Sequence, residues 1–340
     1  MGQIRSQGER RGREQPRTNR AQSTVCEHTS TLICFVVVNK CTWQQAWEQT
    51  VTGANIFYRD NQPADHFTTS VMFSDEVAYR LAQTILALDD GTELIVTDVG
   101  AGGAQLTLAL ADRLADRPWI QLAAIDLRAA PPSLPPSINW QIGDVRTISL
   151  PPARRVVIAH EFLDDIPCER FEVDEWGDAR LIIVADGEAV MGPSLADDEA
   201  CSDFEVNAVA LRNWLDTWWP ARRPYMRGEI GTTRDATWQQ VTGWITSGLG
   251  IAIDYGHLLP ERTVGTWDGG TLTGFRDGHP VTPMLDGSCN ITAHVAMDAI
   301  AAARPDNDST IRRQSEILRG GHVTKPGGLG DFLWLTQAFS

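Results

Sequence analysis

Lysine is nearly missing from this chain of 340 residues: Lys40 and Lys325 are its only two. Almost all positive charge is therefore arginine, which reads as coding bias rather than chemistry. Positive charge is also scarce overall, 29 Lys and Arg against 44 Asp and Glu, for a net charge of −15. That balance excludes a nucleic-acid partner, since phosphates demand a basic footprint. The six cysteines (Cys26, Cys34, Cys41, Cys168, Cys201, Cys289) include no C-x-x-C, and no Cys–His set has metal-ligand spacing. No metal is expected, and reduced thiols in a cytoplasmic protein are the default reading. The apolar run at 32–38 is too short to span a membrane, so no membrane partner is expected.

What is present is ordinary soluble-globular composition, with 12 Trp that read mainly as core or cap residues. The length suggests one large or two modest domains. Residues 1–41 read as a disordered basic tail and a short apolar run; no small-residue cleavage site follows that run. The domain proper is expected over 42–340, with 167–248 as an insert or cap. Trp43, Ala46 and Trp47 open it as a short helix. Val77, Leu81, Ile85 and Leu88 then predict an amphipathic helix to about Asp89, with Ser74 as its N-cap.

The chain is organised around 93–106, ELIVTDVGAGGAQL. A β-branched run leads to Asp98, then to a glycine turn (Gly100, Gly102, Gly103), then to a helical pattern through Leu106, Leu110 and Leu114. Strand, glycine turn and helix open a nucleotide-type βαβ unit. The glycines let the backbone turn tightly and let a ligand approach. A dinucleotide fingerprint wants glycine at the sixth position, where Gln105 stands. The S-adenosylmethionine (SAM) version wants small residues at the first, third and fifth positions, which are Gly100, Gly102 and Ala104.

Further strands are expected over 120–125, 138–142, 156–159 and 249–253, and a late one over 332–335. A helix is expected over 291–303. The fold class is α/β: a mostly parallel Rossmann-like sheet with helices on both faces and an inserted cap region. Ligands bind such sheets outside the carboxyl ends of the strands. Each strand delivers a carboxylate there: Asp98, Asp126, Asp144, Glu161 with Asp164, and Asp254. For SAM, Asp126 is placed to accept both ribose hydroxyls and Asp144 the adenine amine, with the methionine end over Gly100–Gly102. Glu161 and Asp164, then Asp254 and His257, are candidates to hold an acceptor and take its proton.

Six blocks in order carry a family resemblance: HFTTS at 66–70, VGAGGAQL at 99–106, AHEFLDDIP at 159–167, AIDYGH at 252–257, GTLTGFRDGHPV at 270–281 and NITAHV at 290–295. Together they resemble the SAM-dependent methyltransferases related to the mitochondrial complex I assembly-factor arginine methyltransferase, above all short members of the actinobacterial type. The resemblance runs from about Thr42 to the C-terminus. It implies a class I SAM-methyltransferase fold. It also implies SAM at Gly100, Gly102 and Asp126, with Glu161, Asp164 and Asp254 lining the acceptor pocket. Departures are Ala104 for a glycine, Asp98 where the family often has Glu, and HEFLD where it has NEFLD. The acceptor is thus a protein or small-molecule group, with arginine an extension of the resemblance, and the oligomeric state is open. A non-catalytic assembly protein that keeps the fold is the alternative, separable by SAM binding. An NAD(P)-dependent oxidoreductase is disfavoured by Gln105.

Overall fold

Along the strand Ala153–His160 the side chains alternate between two cores. Val156 and Ile158 pack with Val96, Leu122, Ile251 and Ile253, whereas Val157 and Ala159 pack with Val99, Ala252 and Leu335. A strand buried on both faces reads as a continuous apolar run, and it sits at the centre of a covered sheet. This is the case in the computed structural model, which describes residues 40–53, 70–319, 324–325 and 328–340. The basic tail, the 32–38 run and most of the HFTTS block lie outside them.

The main sheet has seven strands: β1 (Leu94–Val99), β2 (Ile120–Asp126), β3 (Asn139–Ile142), β4 (Ala153–His160), β5 (Ile245–Asp254), β6 (Ser309–Arg313) and β7 (Leu333–Phe339). Their order is β3-β2-β1-β4-β5-β7-β6. The five strands from β3 to β5 are mutually parallel, and β7 runs antiparallel to both its neighbours. Parallel neighbours require crossovers, and helices supply the cover. Glu76–Leu86 and Gln105–Leu114 bury Val77, Leu81, Leu106 and Leu110 on one face; Thr232–Thr242 and Met297–Ala302 bury Trp238, Val241, Met297 and Ile300 on the other. The strand order reverses between β1 and β4, which opens a crevice at their carboxyl ends.

A second sheet stands beside this frame. Lys40–Thr42, Ala179–Ala185, Glu169–Val173 and Arg227–Ile230 lie in that order, with Glu188–Ser194 also on Ala179–Ala185, all antiparallel. Four of these strands belong to the stretch between β4 and β5. The Ala208–Trp218 helix packs Leu211, Trp214 and Leu215 against Phe171 and Leu181, so this Trp stripe is core. Thr42 and Gln45 form a capping box that starts the Trp43–Val51 helix.

Two local expectations need correction. The 291–303 helix is in fact a strand at Asn290–Thr292, a short strand at Val295–Ala296 and a helix only from Met297 to Ala302. Edge pairing with Thr273–Arg276 captured the first part before helical periodicity could act. The amphipathic helix ends at Leu86, and Asp75 rather than Ser74 occupies its N-cap; the Ser74 hydroxyl still accepts the Glu76 N–H at 3.2 Å.

Candidate functional site

The 100–104 turn is built on the end of β2. Gly100 and Ala101 donate their N–H groups to the Ile125 carbonyl at 2.9 and 3.1 Å, and Gly102 donates to Asp126 Oδ2 at 2.8 Å. Gly100 and Gly102 take left-handed backbone angles (φ +69° and +58°). Their reasons differ. A Cβ on Gly100 would overlap the Phe162 ring, so that glycine serves packing rather than ligand approach. A Cβ on Gly102 would meet only Arg128 Nη2, at 3.8 Å, so Gly102 faces open space. Ala104, in the fifth position, also adopts a left-handed angle, φ +65°. It carries the strain, about 1 kcal/mol, that a glycine there would avoid.

A cavity opens over this turn. Its walls include Asp98, Gly102, Asp126 and Arg128 on one side, Asp144 and Arg146 on another, and His160, Glu161, Phe162 and Asp165 on the third. Val51, Val71 and Met72 add an apolar edge. Asp126 therefore lies at the bend. Asp98 is buried and accepts the Thr107 hydroxyl at 2.6 Å; burial pushes its carboxyl up to about 7.

Asp126 and Asp144 share a pattern that spacing could have revealed. Both begin an Asp-x-Arg at a strand end. Asp126 Oδ1 accepts the Arg128 N–H at 2.9 Å and its Nε at 3.1 Å. Asp144 Oδ1 accepts the Arg146 N–H and Nε, each at 2.9 Å. This is an Asx turn with the arginine folded back onto its own aspartate. Arg146 reaches further. Its Nη1 and Nη2 fork onto Glu48 at 2.7 and 2.6 Å, while Nη2 also meets Asp144 Oδ2 at 2.6 Å. Both Asp144 oxygens are thus committed to Arg146, which competes directly with the expected contact to an adenine amine. Glu48, Arg128 and Arg146 were not singled out from the sequence.

The carboxyl end of β4 and the loop after it form the opposite wall. Glu161 takes a left-handed angle, φ +51°, immediately after β4. Its Oε1 accepts the Ser70 N–H at 2.7 Å and lies 3.3 Å from His160 Nε2. The Ser70 hydroxyl pairs with the same imidazole nitrogen at 2.8 Å. Burial holds His160 neutral, pushed down to about 4, and lifts the Glu161 carboxyl to about 7. Glu161 is therefore poised to exchange a proton near neutrality.

Asp254 and Asp164 stand elsewhere. Asp254 is fully buried, and its Oδ2 accepts the N–H groups of Phe162, Leu163 and Asp164 at 3.2, 2.8 and 3.2 Å. It fixes the loop that presents Glu161 and does not line the cavity. Asp164 is buried beside it, with its carboxyl pushed up by burial and by Asp254; Asp165 occupies the wall instead. Behind this loop Arg234, 1 % exposed, donates to the carbonyls of Asp164, Ile166, Ala293 and His294 at 2.7, 3.1, 2.9 and 2.9 Å. No sequence signal marked Arg234, because its partners are backbone. Among the described residues no group of three or more His, Cys, Asp or Glu could hold a metal ion.

The model of a family of S-adenosyl-L-methionine-dependent methyltransferases matches residues 103–312. No curated protein matches the chain. Two solved structures from Burkholderia thailandensis are similar to it. One, described as a 'likely methyl transferase' bound to S-adenosyl-homocysteine, is 20% identical, with 88% of each chain covered and a TM-score of 0.70. The other, a native structure of an uncharacterized protein of the same superfamily, is 19% identical, with 88% of this chain and 87% of that one covered and a TM-score of 0.66. At this identity the two share the fold.

Proposed function

Because the chain belongs to the family of SAM-dependent methyltransferases, we propose that its seven strands form a class I methyltransferase sheet, with the cofactor over the 100–104 turn and the methyl acceptor beside Glu161. The strand order, with one antiparallel strand inserted late, supports the fold reading. The single observation that carries the site reading is that Gly102, Asp126 and Glu161 wall one cavity.

The residues fit the group. Gly102 leaves space above the turn, and Asp126 stands at the bend with an oxygen bound to the turn itself. Bound there, SAM supplies an electrophilic methyl group on a sulfonium. Asp126 would take the ribose hydroxyls on the lone pairs left beside its bonds to Gly102 and Arg128, and Asp98 would close the floor. Asp144 acts through Arg146, holding the guanidinium and Glu48 at the adenine edge. The apolar edge of Val51, Val71 and Met72 keeps water from the transfer path. Glu161 would orient the acceptor and accept the proton it loses on methylation. Asp254 and Arg234 position the loop that carries Glu161.

The acceptor is a protein or small-molecule group, and an arginine side chain is the version that rests on the family resemblance. The cytoplasmic placement draws support from Cys41, Cys168, Cys201 and Cys289, which are free thiols. Among the described residues no helix is long and apolar enough to cross a membrane. The test is transfer from labelled SAM into a lysate of the source organism, read by mass spectrometry, with Glu161→Gln beside the unaltered protein. Label that appears with the unaltered protein and vanishes with the variant supports the reading; equal labelling by both removes Glu161 from the site.

A further inference from the structure

Beyond the cavity, four aromatic rings form a chain of contacts. Ring centroids lie 5.5 Å apart for Trp219 and His257, 5.9 Å for His257 and Trp267, and 4.9 Å for Trp267 and His294. Arg262 decides the tautomer of His257. Its Nη1 lies 2.8 Å from His257 Nδ1, and a guanidinium only donates, so Nδ1 accepts and the ring proton sits on Nε2. That Nε2–H is buried without a partner, and so are the indole N–H groups of Trp267 and Trp219 and Nδ1 of His294. Three N–H donors without an acceptor, in touching rings, are unusual in a folded interior, where buried polar groups are paired.

The surroundings point to the missing partner. Burial, helped by Arg262, His294 and Arg234, holds the His257 imidazole neutral. Arg262 is already forked onto Asp298 at 2.8 and 3.0 Å, and Arg234 onto backbone carbonyls. What the cluster lacks is an oxygen acceptor, and the Arg234 guanidinium, bonded to carbonyls rather than to a carboxylate, favours one with negative charge. A cationic head group would bring more donors to donors. His257 and Trp219 are fully buried, whereas Trp267 and His294 are half-buried and lead outward. Tyr255 connects the cluster to the transfer site. Its ring stacks on His294 at 5.6 Å and 16°, and its hydroxyl, raised mainly by burial, also feels Glu161, Asp164 and Asp254.

We propose that His257, Trp267 and His294 form a subsite that receives a carboxylate of the methyl acceptor, with Trp219 completing its inner wall. This rests on the reading that the acceptor stands beside Glu161. His257 Nε2–H and the Trp267 indole N–H donate to the carboxylate oxygens, and the aromatic rings exclude water from them.

The test is a nitrogen–proton correlation NMR titration of the full chain with benzoate, against benzamide as the uncharged isostere, at constant ionic strength. Benzoate is expected to shift the Trp267 indole and His257 imidazole signals saturably, in the millimolar range appropriate to a fragment, with benzamide about tenfold weaker. Trp267→Phe keeps the ring and removes the donor, and it should weaken benzoate about tenfold while SAM binding holds. Signals that do not move with benzoate, or that move equally with benzamide, overturn the proposal. The Glu161→Gln transfer assay judges the catalytic reading separately: a saturable benzoate shift in a chain whose Glu161 proves dispensable leaves the subsite standing and removes its assignment to the transfer site.

Discussion

Two regions of this molecule bury ionisable groups, and they do so in opposite ways. At the ends of β1 to β4, carboxylates face a cavity and keep room for a ligand: Asp98, Asp126 and Glu161 share its wall. Around 164–298, buried charge is spent on the chain itself, as Arg234 ties four carbonyls from two loops. Loss of a side chain is therefore expected to cost function in the first region and stability in the second. Burial alone does not separate them, since Glu161 and Asp254 both have carboxyls raised by desolvation. What separates them is whether the side chain lines the cavity, as Asp98, Asp126 and Glu161 do, or is enclosed by the chain, as Asp254 and Arg234 are.

The contrast can be broken by mutation, and the largest effect belongs to Arg234. Arg234→Met should strand four buried carbonyls and cost about 4 kcal/mol in urea unfolding. A loss below about 1 kcal/mol would make the two regions alike. Next is Glu161→Gln, which should lower transfer about a hundredfold or more while calorimetry finds SAM affinity intact. The same variant sharpens the pH dependence. Glu161 is active when ionised, and burial holds it near 7, so transfer should rise with pH through that region; His160, held near 4, adds no step there. The stability contribution runs the other way. The native carboxyl keeps its proton above its ordinary 4.5, so this contribution falls as pH rises from 4.5 towards 7. The variant should flatten both slopes.

Asp126→Ala is expected to weaken SAM about tenfold through loss of charge-assisted hydrogen bonds. Its effect on unfolding should reach about 2 kcal/mol, since Asp126 accepts the Gly102 N–H and both the N–H and Nε of Arg128. An unchanged dissociation constant would remove Asp126 from the cofactor. The smallest effect is at Ala104. Ala104→Gly relieves a left-handed alanine but loosens the unfolded chain, for a net gain of about 0.5 kcal/mol. A clear loss in thermal unfolding would show that the methyl group packs more tightly than its backbone is strained.

Much of the cavity was legible because parallel strands place their terminal residues together. Asp98, Asp126, Asp144 and Glu161 follow apolar runs in the sequence, and each run is a strand of one sheet whose carboxyl ends share an edge. Arg128 and Arg146 were within reach of the same reading, since Asp-x-Arg folds back locally. Arg234, Glu48 and Ser70 were not. They act across 59 to 98 residues of chain, on backbone carbonyls, an arginine and a carboxylate that no local pattern announces.

Local sequence pattern, which depends only on near neighbours, was enough to specify β1 to β5 and β7, the glycine turn and the polar residues at strand ends, but not β6 or the Asn290–Thr292 strand. Tertiary structure decided the rest: that Gly100 answers to Phe162, that Asp254 braces a loop instead of facing the cavity, and that Arg146 carries on from Asp144 to Glu48. Those outcomes depend on which distant atoms compete for the same lone pair or the same volume, and that competition exists only once the chain has closed on itself.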